Sequence, residues 1–203
     1  PPSRFMADTC IRGGYNPHKF KVLCNFIDES KVADPNFDQD DYYCFLGRLT
    51  QVKGIRTLCE AAKTLPYRLK VVGGGDMLEE LRQTYPDVEF LGQMQWDEFR
   101  PILERARFMV IPSEWSENNP LSVIESQSLG TPVLGARIGG IPELIDEGVN
   151  GLTFKSGDVA DLRNGIEKIW AHCFDYKMIA SAAVQRYGSD AYYKTLMNLY
   201  AAD

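Results

Sequence analysis

Two short segments of this chain carry residue types that could hold an anion and act on hydroxyls. In Gly47-Arg48-Leu49-Thr50-Gln51-Val52-Lys53-Gly54, a planar guanidinium precedes a compact ammonium by five positions. Arg48 can take two phosphate oxygens at once and Lys53 can add a point charge. In Ser113-Glu114-Trp115-Ser116-Glu117-Asn118-Asn119-Pro120-Leu121-Ser122-Val123-Ile124-Glu125, a polar loop runs into an apolar helical pattern. Proline suits a first helical position and Asn119 suits the N-cap before it. The free amides of Leu121 and Ser122 would then face outward at the positive end of the helix, a place for phosphate oxygens. Glu117 and Glu125 bracket that end, and carboxylates accept hydrogen bonds from sugar hydroxyls. Each residue also has a plainer reading: Arg48 and Lys53 as solvated loop charges, Glu117 as an exposed loop acid, Glu125 as a solvent-facing helix residue.

Positioning these groups requires a scaffold, and the chain alternates short apolar runs with helical patterns. Strands are predicted at Lys21 to Cys24, Tyr42 to Leu46, Leu69 to Val72, Val88 to Phe90, Phe108 to Ile111, Pro132 to Gly135 and Leu152 to Phe154. Helices are predicted at Ile55 to Leu65, Met77 to Thr84, Asp97 to Arg105, Leu121 to Leu129, Ile141 to Ile145 and Val159 to Trp170, with Gly130 as a stop. This βα alternation predicts an α/β fold, a doubly wound, Rossmann-like parallel sheet. Both candidate loops then follow a strand, where open α/β sheets bind ligands. The polar run Asp28 to Asp41 reads as a loop, and an aromatic amphipathic pattern covers Ser189 to Asp203.

Composition narrows the function. A net charge of -6, with no dense Lys/Arg cluster, argues against a nucleic-acid partner. Five cysteines without a C-x-x-C pair suggest buried, reduced thiols in a cytoplasmic protein. No apolar run is long enough to span a bilayer, and the first residues do not form a signal peptide. Asp38 and Asp40 make a D-x-D, but in an acidic loop ahead of a strand, so a metal is not expected there. His18 and His172 have neither ligand spacing nor a partnered nucleophile. Gly73-Gly74-Gly75 lacks the G-K-[ST] ending of a P-loop and is explained by a close backbone approach or, preferably, a tight turn. Trp96, Trp115 and Trp170 are expected to pack.

Taken together, Glu117 and Glu125 with seven residues between them resemble the E-x7-E signature of glycosyltransferase family 4. The resemblance extends to the G-R-L-x-x-x-K-G loop at Gly47 to Gly54, the glycine cluster at Gly73 to Asp76, Phe90-Leu91-Gly92, and the G-G-x-P-E turn at Gly139 to Glu143. Ser3-Arg4-Phe5 and Val22 to Asp28 resemble that family's linker into its C-terminal domain. Phe26 departs from a usual glycine and Ser126 from a usual alanine.

The resemblance implies a retaining enzyme of the GT-B type, of which residues 1-203 form the single, C-terminal, donor-binding domain. Arg48 and Lys53 would contact the donor diphosphate, the amides of Leu121 and Ser122 would complete the cradle, Glu125 would hold the ribose, and Glu117 would act on the transferred sugar as the catalytic carboxylate. Asn119 would shape the helix end, and the base would lie near Gln93 and Met94. A nucleotide sugar would be the substrate, with no metal or other cofactor and with a glycan or lipid-linked acceptor. Helix 189-203 would cross to an N-terminal acceptor domain that is absent here, so donor binding without transfer is expected. Membrane contact, at the inner face, would come through that missing domain. Two alternatives stay open: a non-catalytic nucleotide or sugar-phosphate binding module, and half of a sugar-nucleotide isomerase or phosphorylase.

Overall fold

Tyr42-Tyr43-Cys44-Phe45-Leu46 forms the first strand, β1 (Tyr42–Leu46), and its first four residues are all buried. Burial of successive residues means that both faces of the strand are covered, as in a parallel sheet flanked by helices. The computed structural model describes residues 1–201 and joins five more strands to β1: β2 (Arg68–Val72), β3 (Glu89–Gly92), β4 (Met109–Ile111), β5 (Val133–Ala136) and β6 (Gly151–Phe154). All pair in parallel, in the order β3-β2-β1-β4-β5-β6. The chain works outward from β1 to β3, then returns to β4 and works outward the other way. The direction of winding therefore reverses between β1 and β4, and that switch point opens a crevice outside the carboxyl ends of the two strands.

The helices are α1 (Arg4–Arg12), α2 (Ile55–Ala62), α3 (Leu78–Thr84), α4 (Trp96–Glu104), α5 (Leu121–Ser128), α6 (Val159–Ala171), α7 (Tyr176–Tyr187) and α8 (Ser189–Ala201). α2 buries Ile55, Leu58, Cys59, Ala61 and Ala62 and packs on α6, while α5 packs on α7. The right-handed rule for parallel crossovers puts α2 and α5 on opposite faces of the sheet. The fold is thus the doubly wound α/β sheet predicted, with six of the seven predicted strands present within two residues of their bounds.

Several expectations need correction. Lys21 to Cys24 is not a strand: the Leu23 amide donates to the Pro1 carbonyl, so this backbone is satisfied outside the sheet. Helices α1 and α7 were not predicted. Asp175 caps α7 by accepting from the Met178 amide at 2.9 Å. Ile141–Leu144 is a 3-10 turn rather than an α-helix. The predicted terminal helix is seen to Ala201, and its last two positions lie outside the described residues. Gly73 to Gly75 marks a close approach rather than a free turn: a Cβ on Gly73 would sit 1.9 Å from the Gly47 carbonyl oxygen, binding the exits of β1 and β2 together. All five cysteines are free. Burial pushes the Cys44 and Cys59 thiols up to about 12, but Cys173 is exposed, so the thiols are not uniformly buried. Trp96 and Trp170 pack against aromatic rings, whereas Trp115 is 67% exposed. Asp40 is committed to a two-point pair with Arg105, at 3.0 and 2.7 Å, which holds its carboxyl below the usual range.

Candidate functional site

The loops that leave β1 and β4 meet at the switch point around a cleft of about 610 Å³. Arg48, Lys53, Ser113, Glu117, Pro120 and Ser122 line it. A second cavity of about 260 Å³, lined by Gly73, Gly74, Gln93 and Met94, shares Leu46, Gly47 and Arg48 with the first. The predicted residues Arg48, Lys53, Glu117 and Ser122 therefore border the first cavity and Met94 the second, with Arg48 in the wall of both.

Within it, the Lys53 ammonium donates to Oε1 of Glu117, and the Ser113 hydroxyl donates to the same oxygen at 3.1 Å. Arg48 is exposed and pairs with no carboxylate among the described residues, which leaves its five donors for a ligand. The Val123 amide folds back onto the Pro120 carbonyl, at 3.2 Å. The amides of Leu121 and Ser122 have no acceptor among the described residues, so the first turn of α5 presents two unspent donors.

Asn119 does not cap α5. Pro120 occupies the N-cap with ψ of 121°, and Asn119 faces the chain's N-terminal segment instead. Its Oδ1 accepts from the Asn25 amide at 2.9 Å and its carbonyl accepts from Asn25 Nδ2 at 2.8 Å. A residue ahead of proline is pushed into extended backbone, which turns Asn119 away from the helix amides.

Glu125 sits one turn further along α5 and borders neither cavity. It is partly buried, and its carboxylate has no hydrogen bond among the described residues. Burial pushes its carboxyl above the ordinary range, and the Lys31 ammonium pulls it back. A carboxyl raised on folding binds its proton more tightly in the folded state, so its contribution is complete below the unfolded pKa and is lost as pH rises through the folded one. Glu125→Gln should accordingly raise the urea midpoint at pH 7 and leave it nearly unchanged at pH 4. A midpoint at pH 7 equal to or below that of the unaltered chain would refute this.

The loop carrying Glu117 is fixed by groups that motif reading did not assign. The Gly140 amide donates to the Glu117 carbonyl at 2.7 Å. The Ser3 hydroxyl donates to Asn118 Oδ1 at 2.5 Å. Glu143, at the end of the same glycine turn, accepts from the Arg4 and Phe5 amides at 2.8 and 2.7 Å and so caps α1. Ser113 was overlooked because its relation to Glu117 lies within an irregular loop, where no periodicity marks it. Ser3, Asn25 and Glu143 fall within segments that resemble the family's motifs, but their roles were not assigned, since their partners are remote in sequence.

The model of the family described as glycosyl transferases group 1 matches residues 40–172, which hold all six strands and both loops. An uncharacterised glycosyltransferase of Methanocaldococcus jannaschii is 28% identical over 206 residues, covering 94% of this chain and 53% of that protein. The GDP-mannose-dependent alpha-mannosyltransferase of Corynebacterium glutamicum is 34% identical over 119 residues, 59% of this chain and 28% of that one. The chain thus spans about half or less of the curated relatives it matches. Among solved structures, the apo form of the lipopolysaccharide outer core galactosyltransferase WaaB superposes with a TM-score of 0.86 at 16% identity, over 98% of this chain and 60% of that one. Anabaena HepE in complex with UDP superposes with a TM-score of 0.84 at 21% identity, over 100% and 63%. With more than half of its length matched by the family model, and Arg48, Lys53 and Glu117 of the matched segment set around one cleft, this chain belongs to the glycosyl transferases group 1.

Proposed function

We propose that this chain is the donor-binding, C-terminal half of a retaining family 4 glycosyltransferase that moves a hexosyl group from a nucleotide sugar to a glycan or lipid-linked acceptor. The observation that carries the reading is the convergence of Arg48, Lys53, Glu117 and the open amides of α5 on one cleft at the switch point. HepE was solved with UDP and with UDP-glucose, and the mannosyltransferase is GDP-mannose-dependent, which supports a nucleotide sugar as the ligand class.

Departure of a nucleoside diphosphate builds negative charge on phosphate and positive charge on the sugar ring. Groups already in place where charge develops lower the barrier most. Arg48, Lys53 and the amides of Leu121 and Ser122 serve the leaving diphosphate, and Glu117 serves the sugar. In this reading side chains and the helix end hold the diphosphate. On the same reading the base lies toward Met94 in the adjoining cavity, and Glu125, one turn into α5, serves the ribose. The acceptor domain belongs to the rest of a longer cytoplasmic protein, reached by the exposed face of α8, where Tyr193, Met197 and Tyr200 are open.

A calorimetric screen of UDP, GDP and ADP, each with and without glucose or mannose, tests this directly. One nucleotide should bind, its sugar conjugate should bind more tightly, and no sugar should be transferred by this chain alone. A chain that binds none of them is not a donor-binding domain. Equal affinity for diphosphate and conjugate favours a simple nucleotide-binding module, because Glu117 then has no sugar to hold.

A further inference from the structure

We propose that Ser113 is a positioning residue that keeps the Glu117 carboxylate aimed at the sugar once Lys53 has been taken up by the donor phosphate. The proposal rests on the donor-binding reading and refines it.

Ser113 is only 3% exposed, yet it borders the cleft, at the point where β4 gives way to the site loop. Its place is fixed from behind: the Ser156 hydroxyl, in the turn before α6, donates to the Ser113 carbonyl at 2.8 Å. The neighbouring Glu114 amide donates to the Val52 carbonyl at 2.9 Å, and Thr57 donates to the Glu114 carboxylate. The backbone at Ser113 is therefore held against two other segments, and its hydroxyl reaches Glu117 from that fixed position.

Both donors to the Glu117 carboxylate among the described residues, Lys53 and Ser113, meet Oε1, and Oε2 receives none. One oxygen is thus anchored and the other is left for a ligand. In the empty site Lys53 dominates, since an ammonium binds carboxylate more strongly than a hydroxyl does. A donor diphosphate changes the balance, because Lys53 must then serve two anions. At that stage the Ser113 hydroxyl is the remaining neutral donor fixed by the protein. A side chain released from its anchor regains rotamer freedom, and that freedom must be lost again on holding a sugar. Loss of Ser113 should therefore be nearly silent in the empty protein and in the diphosphate complex. It should appear in the additional affinity contributed by the sugar.

The experiment is calorimetry on the unaltered chain, Ser113→Ala and Ser113→Thr, with UDP, GDP and ADP and their glucose conjugates, alongside a melting curve for each protein. In Ser113→Ala the ratio of conjugate affinity to diphosphate affinity should fall about tenfold, the scale of a hydrogen bond to a charged group. Diphosphate affinity and Tm should hold, and Ser113→Thr, which keeps a hydroxyl, should recover the ratio. An unchanged ratio in Ser113→Ala overturns the proposal, as does a threonine variant as poor as alanine at an unaltered Tm. A parallel fall in diphosphate and conjugate affinity overturns it too, because that marks a general packing defect. If the unaltered chain shows no preference for any conjugate, it is the donor-binding reading that has failed, and this one with it.

Discussion

Gly140→Val should lower Tm by roughly 10 °C and abolish measurable donor binding, although Gly140 borders no part of the cleft. Its φ of about −90° is available to any residue, so conformational freedom is not the reason for glycine here. The reason is space. A Cβ on Gly140 would stand 1.8 Å from the carbonyl oxygen of Asn118, and one on Gly139 would stand 2.2 Å from that of Glu117. These obstacles are backbone atoms, which cannot rotate aside as a flexible side chain would. The Glu117-Asn118 segment must move, and with it go the hydrogen bonds from the Gly140 amide to the Glu117 carbonyl and from the Ser3 hydroxyl to Asn118 Oδ1. Overpacking of this kind costs about 3 kcal/mol. At roughly 3 °C per kcal/mol for a domain of this size, that gives the Tm shift stated. A control is Gly74→Ala: Gly74 lies outside the left-handed region and a Cβ there would meet Gln93 Cβ at 3.6 Å, an ordinary contact, so that variant should melt close to the unaltered chain. If Gly140→Val melts with it, the close seat of the glycine turn against the site loop is wrong.

Lys53→Met should weaken nucleoside diphosphate binding by roughly ten- to a hundredfold, the equivalent of one lost charge-assisted hydrogen bond. Methionine keeps most of the length and apolar stem of lysine, so the change isolates the ammonium. The effect has two sources. The diphosphate loses a cation, and Glu117, partly buried and bordering the same cleft, keeps only the Ser113 hydroxyl against its charge. An uncompensated carboxylate beside the phosphate site repels the ligand. The loss in Lys53→Met should therefore shrink when Glu117→Gln is added, which double-mutant calorimetry can read as a positive coupling. Additive losses would show that Lys53 and Glu117 act on the ligand independently. Undiminished affinity in Lys53→Met would remove Lys53 from the site.

The scaffold was open to sequence reading wherever burial was continuous. Tyr42 to Leu46 could be read to the residue, because a run of large apolar side chains with both faces covered has few other homes. α7 offered a comparable signal, with Ile179, Ala180, Ala183 and Tyr187 buried at helical spacing behind a capping Asp175, and it was passed over. α1 offered less, since Ala7 is its single buried residue. Its position is set by Glu143 and Asn118, more than a hundred residues away. The site divides in the same manner. Arg48, Lys53 and Glu117 are recognisable by type and spacing, whereas the loop's seat, made by Gly139, Gly140, Ser3 and Asn25, depends on which segments meet in space. Asn119 shows the limit well: the residue type suited a helix cap, but a long-range partner claimed it.

The anchoring of the Glu117 loop also bears on how the protein is made. Ser3 meets Asn118 across 115 positions, and Arg4 meets Glu143 across 139. At a synthesis rate of about 5–20 residues per second, α1 leaves the ribosome roughly ten seconds before its partners exist. A nine-residue helix is too short to persist alone during that interval. The contacts of α1 with Asn118 and Glu143 therefore form only after the glycine turn has emerged, and the Glu117 loop acquires its final shape only after most of the sheet it rests on has been synthesised.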